Sequence, residues 1–438
     1  MKRVLLYTMA AFLVLASCSK KDDPVFDESP DVRLNKVLAE YQAALAGAPN
    51  GWNAELRTAN GSLYHFHFGF NDANRVQMYA DFDTLTASVR KESSFRLKAL
   101  QQPALLFDTY SYVHILADPD ATVNGGEFGL GLSSDFEFSL DTLAADSIKL
   151  TGRFNGSKMI LRKASAQDLQ AWQNGQWKNA LLFESISALI LNYFKRLNVG
   201  GKAYEISLNA ARREITFTWR DGGGIPRQHT TTYSFSGNNV QLDTPLTDGG
   251  TTISTLSNLS WNAGTSSFQV NVNGTQAASI AGAIAPMIPD LNAPTRWWQY
   301  MADREYFWTS FFGFHVNGVD DAFKIRSIPG LYALVFVPRF GSEQGVIYDL
   351  AAFTSVSGSN LNLLFGAAFR PPVFTTDGRV IFRYFGTLGD VPPEHEEKYI
   401  NTASLLNSTS GFYLVQTSET SYDMVSATDA KAWITWLR

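Results

Sequence analysis

Through most of the chain, apolar and polar residues alternate with a period of two. In Leu63-Tyr64-His65-Phe66-His67-Phe68, residues 64, 66 and 68 face one way and His65 and His67 the other, as in a half-buried strand. Like segments at 54–58, 75–82, 95–100, 148–151 and 159–162 are separated by turn pairs such as Asn60-Gly61, Asn71-Asp72 and Asn155-Gly156, which predicts an antiparallel sheet with short loops. The alternation returns at 203–208, 214–220, 230–235, 240–242, 252–261 and 268–272, with 221–224 reading as a hairpin turn. A last set covers 307–316, 331–337, 361–365, 379–385 and 412–416.

Helical spacing is confined to a few places. Ser29 as N-cap, Pro30 at the first position and Leu34, Leu38, Tyr41 and Leu45 on one stripe predict a helix ended by Gly47-Ala48-Pro49. Ser165 with Asp168 forms a capping box ahead of Leu169 and Trp172, and Ser426 to Trp433 repeats the same S-A-x-D-x-x-x-W spacing, so two modules are each expected to close with a short helix. Residues 181–194 are apolar almost all round and read as a buried helix or as a pair of buried strands. Residues 277–285 read as a small-residue helix stopped by Pro286 and Pro289, Pro294 opens another through Trp297, Trp298 and Met301, and 390–398 reads as a charged, proline-broken loop. The expected fold is mainly β: two or three antiparallel sandwich- or barrel-like modules, over 30–175, 176–290 and 291–438, with an N-terminal helix and short module-closing helices.

Composition narrows this picture. Hydrophobic residues at 45% against 18% charged can bury several cores, and 13% aromatics lean towards strands. The net charge of −5, with no basic stripe, gives no grip on phosphate backbones, so nucleic acid is not an expected partner. Beyond the leader, no stretch is long and apolar enough to span a bilayer as a helix.

The first residues set the expected address. Lys2-Arg3, an apolar run over 4–15 and small residues before Cys18 make a secretory signal peptide over 1–17. The ending Leu15-Ala16-Ser17-Cys18 resembles a bacterial lipobox, which makes Cys18 the lipidated first residue of the mature protein and the membrane its partner through a lipid anchor. Cys18 is also the sole cysteine, so an internal disulfide is excluded. Residues 18–29 read as a flexible tether, and its Lys20-Lys21-Asp22-Asp23 resembles the charged signals that send lipoproteins to the outer face of the outer membrane.

Phe107-Asp108-Thr109-Tyr110, His114 to Asp118-Pro119, and Asp135-Phe136-Glu137-Phe138, together with Gly51-Trp52 and Arg33, resemble a family of Bacteroidota lipoproteins catalogued as a domain of unknown function. The resemblance is strongest over 18–175. It implies a genomic neighbourhood beside a TonB-dependent transporter and a SusD-like lipoprotein, hence a partner complex of that kind, and it implies no catalytic residues.

Candidate chemistry is sparse. His65 and His67 share a strand face at a spacing that can hold two zinc ligands, with His114 placed to join from a neighbouring strand, but the signal is weak and a solvated polar face is the plainer reading. Asp118, Asp120, Asn124 and Glu127 crowd oxygens beside Gly125-Gly126 as a calcium loop does, but miss the EF-hand positions, and an Asx-rich turn is the plainer reading. No resident cofactor is expected. Trp297, Trp298 and Trp308 lie in the densest aromatic patch, a core or a ligand platform. Asp135 and Glu137 are a carboxylate pair at strand spacing, and no nucleophile elbow or phosphate loop is present. These features favour a non-enzymatic surface accessory in glycan or peptide capture. The alternatives are a hydrolase assembled from dispersed carboxylates or histidines, and a structural envelope scaffold. An aromatic groove would favour the first and a cleft with perturbed carboxylates the second.

Overall fold

The structure is a computed structural model that describes residues 29–100, 102–358 and 360–438; the leader, Cys18 and the tether up to residue 28 lie outside the described residues. It is mainly β. Helix α1 (Pro30–Ala46) starts at the Ser29 cap, whose hydroxyl accepts the Val32 N–H. Eight strands then form a closed up-and-down barrel: β1 (Trp52–Arg57), β2 (Leu63–Phe70), β3 (Arg75–Ala80), β4 (Lys91–Ala99), β5 (Pro103–Phe107), β6 (Glu137–Leu143), β7 (Ser147–Gly152) and β8 (Lys158–Lys163), with β8 pairing back onto β1. Eight strands leave an interior that side chains can fill. Here Phe66, Phe68, Phe95, Phe107 and Phe138 fill it, and Tyr41 and Leu45 of α1 pack onto the same core. The Trp52 indole donates to Leu45 O at 3.0 Å, tying strand to helix.

Between β5 and β6 lie two single-turn helices, α2 (Tyr112–Ile115) and α3 (Ala121–Asn124). Helix α4 (Ala166–Gln173) begins at the expected capping box, with Ser165 and Asp168 bonding each other's backbone N–H. The 181–194 stretch is not one helix: it is divided among α5 (Lys178–Leu181), a 3-10 turn (Leu182–Ser185), α6 (Ile186–Leu189) and the start of the next strand. Leu181, Phe183, Ile186 and Ile190 all enter the second core, and a bent path places them there where one straight helix would spread them round its axis.

The second closed barrel comprises β9 (Phe194–Val199), β10 (Lys202–Asn209), β11 (Glu214–Arg220), β12 (Pro226–Ser236), β13 (Asn239–Asp248), β14 (Thr251–Asn262), β15 (Ser267–Val272) and β16 (Gln276–Ala283). The expected helix at 277–285 is therefore a strand. Its backbone pairs with β15 on one side and β9 on the other, and closing the barrel overrides the helix preference of its alanines.

Helix α7 (Ala293–Ala302) enters a third, nine-stranded sheet: β17 (Trp308–Ser310), β18 (Phe314–Val316), β19 (Ala333–Glu343), β20 (Val346–Ser357), β21 (Asn360–Phe374), β22 (Arg379–Leu388), β23 (Phe412–Ser418), β24 (Ser421–Ser426) and β25 (Ala432–Leu437). Thr309 pairs with Leu437, which brings the sheet round on itself. Two sequence expectations fail here. Residues 393–395 form a 3-10 turn leading into helix α8 (Glu396–Leu406), because prolines and acids suit a helix start, where N–H groups lack intrahelical partners. Ser426 to Trp433 makes no closing helix; a turn through Ala430 leads into β25, which finds strand partners in β18 and β24. No helix among the described residues is long and apolar enough to cross a membrane.

Candidate ligand groove beside the first barrel

Several of the residues that carry the family resemblance lie close together in space. Phe107 and Phe138 point into the first barrel and are fully buried, whereas Tyr110, His114 and Phe136 stack outside it. Ring centroids lie 5.5 Å apart for Tyr110–His114 and 4.9 Å for His114–Phe136. His114 sits on α2, where its Nδ1 accepts the Ser111 N–H at 3.1 Å and its Nε2–H donates to Phe107 O at 3.0 Å. Burial lowers its pKa, which favours this neutral tautomer.

Against this ladder opens a groove of about 570 Å³, lined by Pro119, Leu130, Phe136, Glu137, Arg153 and Phe154 among others. Phe154 stands in the β7–β8 turn and is 91% exposed; Phe136 is 44% exposed. The turn is clamped from below by Asp135, itself only 3% exposed. One carboxylate oxygen accepts the N–H groups of Phe154 (2.7 Å) and Asn155 (2.8 Å). The other accepts the Ser157 N–H (3.1 Å) and hydroxyl (2.6 Å). Gly152 is required below it, since a Cβ there would lie 2.0 Å from the Asp135 oxygen. Glu137 pairs with Arg153 at 3.0 Å along the groove wall. A buried carboxylate thus fixes a loop whose tip holds a large apolar ring in water, an arrangement that favours covering by a ligand.

The other sequence candidates have separate fates. His65 and His67 do share the outer face of β2, but it is largely covered, and only His65 reaches a cavity. His67 is buried, bonded to Asn50 O at 2.7 Å, and its pKa is lowered by burial. His65 bonds Asp81 at 3.0 Å, and His114 lies on a helix with both ring nitrogens committed. Among the described residues no group of three or more His, Cys, Asp or Glu side chains is placed to hold a metal ion. The oxygen-rich loop is a hydrogen-bonded turn. Asp118 accepts from the Tyr110 hydroxyl (2.5 Å) and the Asp120 N–H, and Asp120 caps α3 through Thr122. Asn124 bonds Ile115 O, Asp118 O and the Gly126 N–H, while Glu127 faces Arg212. Trp297, Trp298 and Trp308 belong to the third core, Trp297 and Trp308 stacking at 5.9 Å, and so present no ligand platform. Phe154 and Arg153 went unrecognised in the sequence; the available signal was a phenylalanine inside Arg153-Phe154-Asn155-Gly156, where turn chemistry calls for polar residues.

Comparison with known proteins adds a family. The model of the family described as a domain of unknown function, DUF4302, matches residues 22–263, more than half of the chain. No curated protein matches. Solved structures overlap only slightly. A penicillin-binding protein homologue from Pyrococcus abyssi shares 7% identity over 35% of this chain and 36% of its own, with a TM-score of 0.15. A DUF3598 protein of unknown function from Nostoc punctiforme shares 12% over 55% and 96%, with a TM-score of 0.14. The PCNA2–PCNA3 complex from Sulfolobus tokodaii shares 12% over 58% and 92%, with a TM-score of 0.15. Overlaps of this size carry no argument about function.

Proposed function

The chain belongs to the DUF4302 family, and from that premise we propose that it is a lipid-anchored, non-enzymatic protein of the outer membrane that captures glycan or peptide nutrients at the cell surface. The observation that carries the reading is the rigid groove with Phe154 and Phe136 exposed along it. A flat apolar ring beside an Arg–Glu pair suits a ligand with both apolar faces and polar edges, as sugars and peptides have. The leader ending at Cys18 supports the anchor, and a TonB-dependent transporter with its SusD-like lipoprotein is the partner complex such an accessory would serve.

The test is titration of the mature protein against oligosaccharide and peptide panels. Phe154→Ala is expected to weaken the best ligand at least about tenfold, roughly 1.4 kcal/mol, without lowering the melting temperature. Unchanged affinity in that variant defeats the groove, and cleavage of the ligand by the wild type defeats the non-enzymatic reading. Cys18→Ser is expected to abolish palmitate incorporation; a labelled variant would remove the anchor.

A further inference from the structure

A second cavity lies where the two barrels meet and is distinct from the groove. It has a volume of about 270 Å³ and is lined by Asn53, Glu55, His65, Asp168, Trp177 and Ser236 among others, so β1, β2, α4, the segment after it and the β12–β13 turn all contribute. Its wall is a stacked indole pair, Trp172 and Trp177, with centroids 4.2 Å apart and planes 13° from parallel. His65 sits beside that pair, 5.6 Å from the Trp177 ring.

The acidic side chains lining the cleft are Glu55 and Asp168. Behind His65 lies Asp81, fully buried and doubly bonded to the Arg213 guanidinium at 2.9 and 3.0 Å. Burial works against that charge, but Arg213 and His65 outweigh it and hold the carboxyl below the usual range. The Nδ1–H of His65 donates to Asp81, so Nε2 is the ring nitrogen left over for a ligand; among the described residues it makes no hydrogen bond. Asp168 is likewise ionised. Burial opposes this too, but hydrogen bonds from Ser165 and Asn53 keep its carboxyl below the usual range. Glu55 reaches the cleft from β1 with about half its side chain in water, and its nearest cation, Arg162, stands 4.0 Å away. Among the described residues no lysine or arginine lines the cavity.

Two carboxylates beside an aromatic wall, with no lysine or arginine in the lining, complement a group with several N–H donors and a positive charge. We propose that the cleft between the barrels binds a primary ammonium group, carried by an amino sugar or by a peptide's lysine or amino terminus. The site is separate from the Phe154 groove and stands or falls independently of it.

The test uses the full mature chain at pH 7 with three probes, glucosamine, glycyl-lysine and N-acetylglucosamine, read by tryptophan fluorescence and by calorimetry. Glucosamine or glycyl-lysine is expected to bind, and which one binds tighter identifies the source of the ammonium. N-acetylglucosamine, neutral at that nitrogen, is expected to bind at least about tenfold more weakly. Glu55→Gln, at a half-exposed position, is expected to keep the melting temperature and weaken the charged probe by a similar factor, whereas Phe154→Ala leaves this binding unchanged. Failure of both charged probes to bind, equal binding of N-acetylglucosamine, or full affinity in a folded Glu55→Gln variant overturns the proposal.

Discussion

Asp135 illustrates how much one side chain can organise. Its two oxygens accept from three backbone N–H groups and a hydroxyl, so Asp135→Asn would turn an amide N–H₂ towards donors. The expected cost is about 1–3 kcal/mol of stability, read by chemical denaturation, together with loss of groove binding. A variant as stable as the wild type would mean that the clamp is not needed. Asp349 on β20 makes the opposite case. Burial pushes its carboxyl up to about 6, against downward pulls from the Arg339 N–H and the Trp298 indole, which donates to it at 2.7 Å. The folded protein then keeps a proton that the unfolded chain releases near pH 4. The contribution of this group is full below about pH 4 and is lost as pH rises through about 6, by roughly 3 kcal/mol. Asp349→Asn stays neutral throughout, so the wild-type-minus-variant difference in unfolding free energy should fall by that amount between pH 4 and 7. A flat difference would falsify this.

At the scale of elements, closure decides what local preference leaves open. The run Gln276–Ala283 holds four alanines and reads locally as helix, yet β16 is hydrogen-bonded on both sides and completes the second barrel. Proline at Ser279 would remove a donor from a strand with two neighbours, so Ser279→Pro is expected to cost about 3 kcal/mol or more and to lower the helix-free, β-type circular dichroism of the barrel. An unaffected spectrum and melting temperature would mean that β16 is dispensable. The same logic accounts for β25, which follows a helix-like capping spacing but is taken up between β18 and β24. By contrast α1 and α4 formed as their sequences implied, because Ser29, Ser165 and Asp168 meet the first N–H groups of their own helices without long-range help.

On the scale of the whole molecule, the first two barrels are joined by Arg213. Its φ of 46° is unusual for a long side chain, and it reaches out of the second barrel to bond Asp81 and Leu63 O while lying 4.0 Å from the Tyr64 ring centroid. Removing one partner strands the other, so Asp81→Asn is expected to cost about 3–5 kcal/mol by denaturant titration. The double variant Asp81→Leu with Arg213→Met should recover most of the loss; no recovery would show that the pair does more than neutralise itself. Nothing in the sequence marked this pair, whose members are 132 residues apart. The cleft at His65 and the groove at Phe154 were hidden for the same reason, since each is assembled from separate segments. Most strands of the first two barrels, the turns between them and the self-capped helices were legible in the local pattern, because period-two alternation and capping act within a few residues. Only the tertiary structure decided that the sheets close, which apolar run becomes a strand and which motif residues meet, because those outcomes depend on hydrogen bonds and buried charges between distant segments.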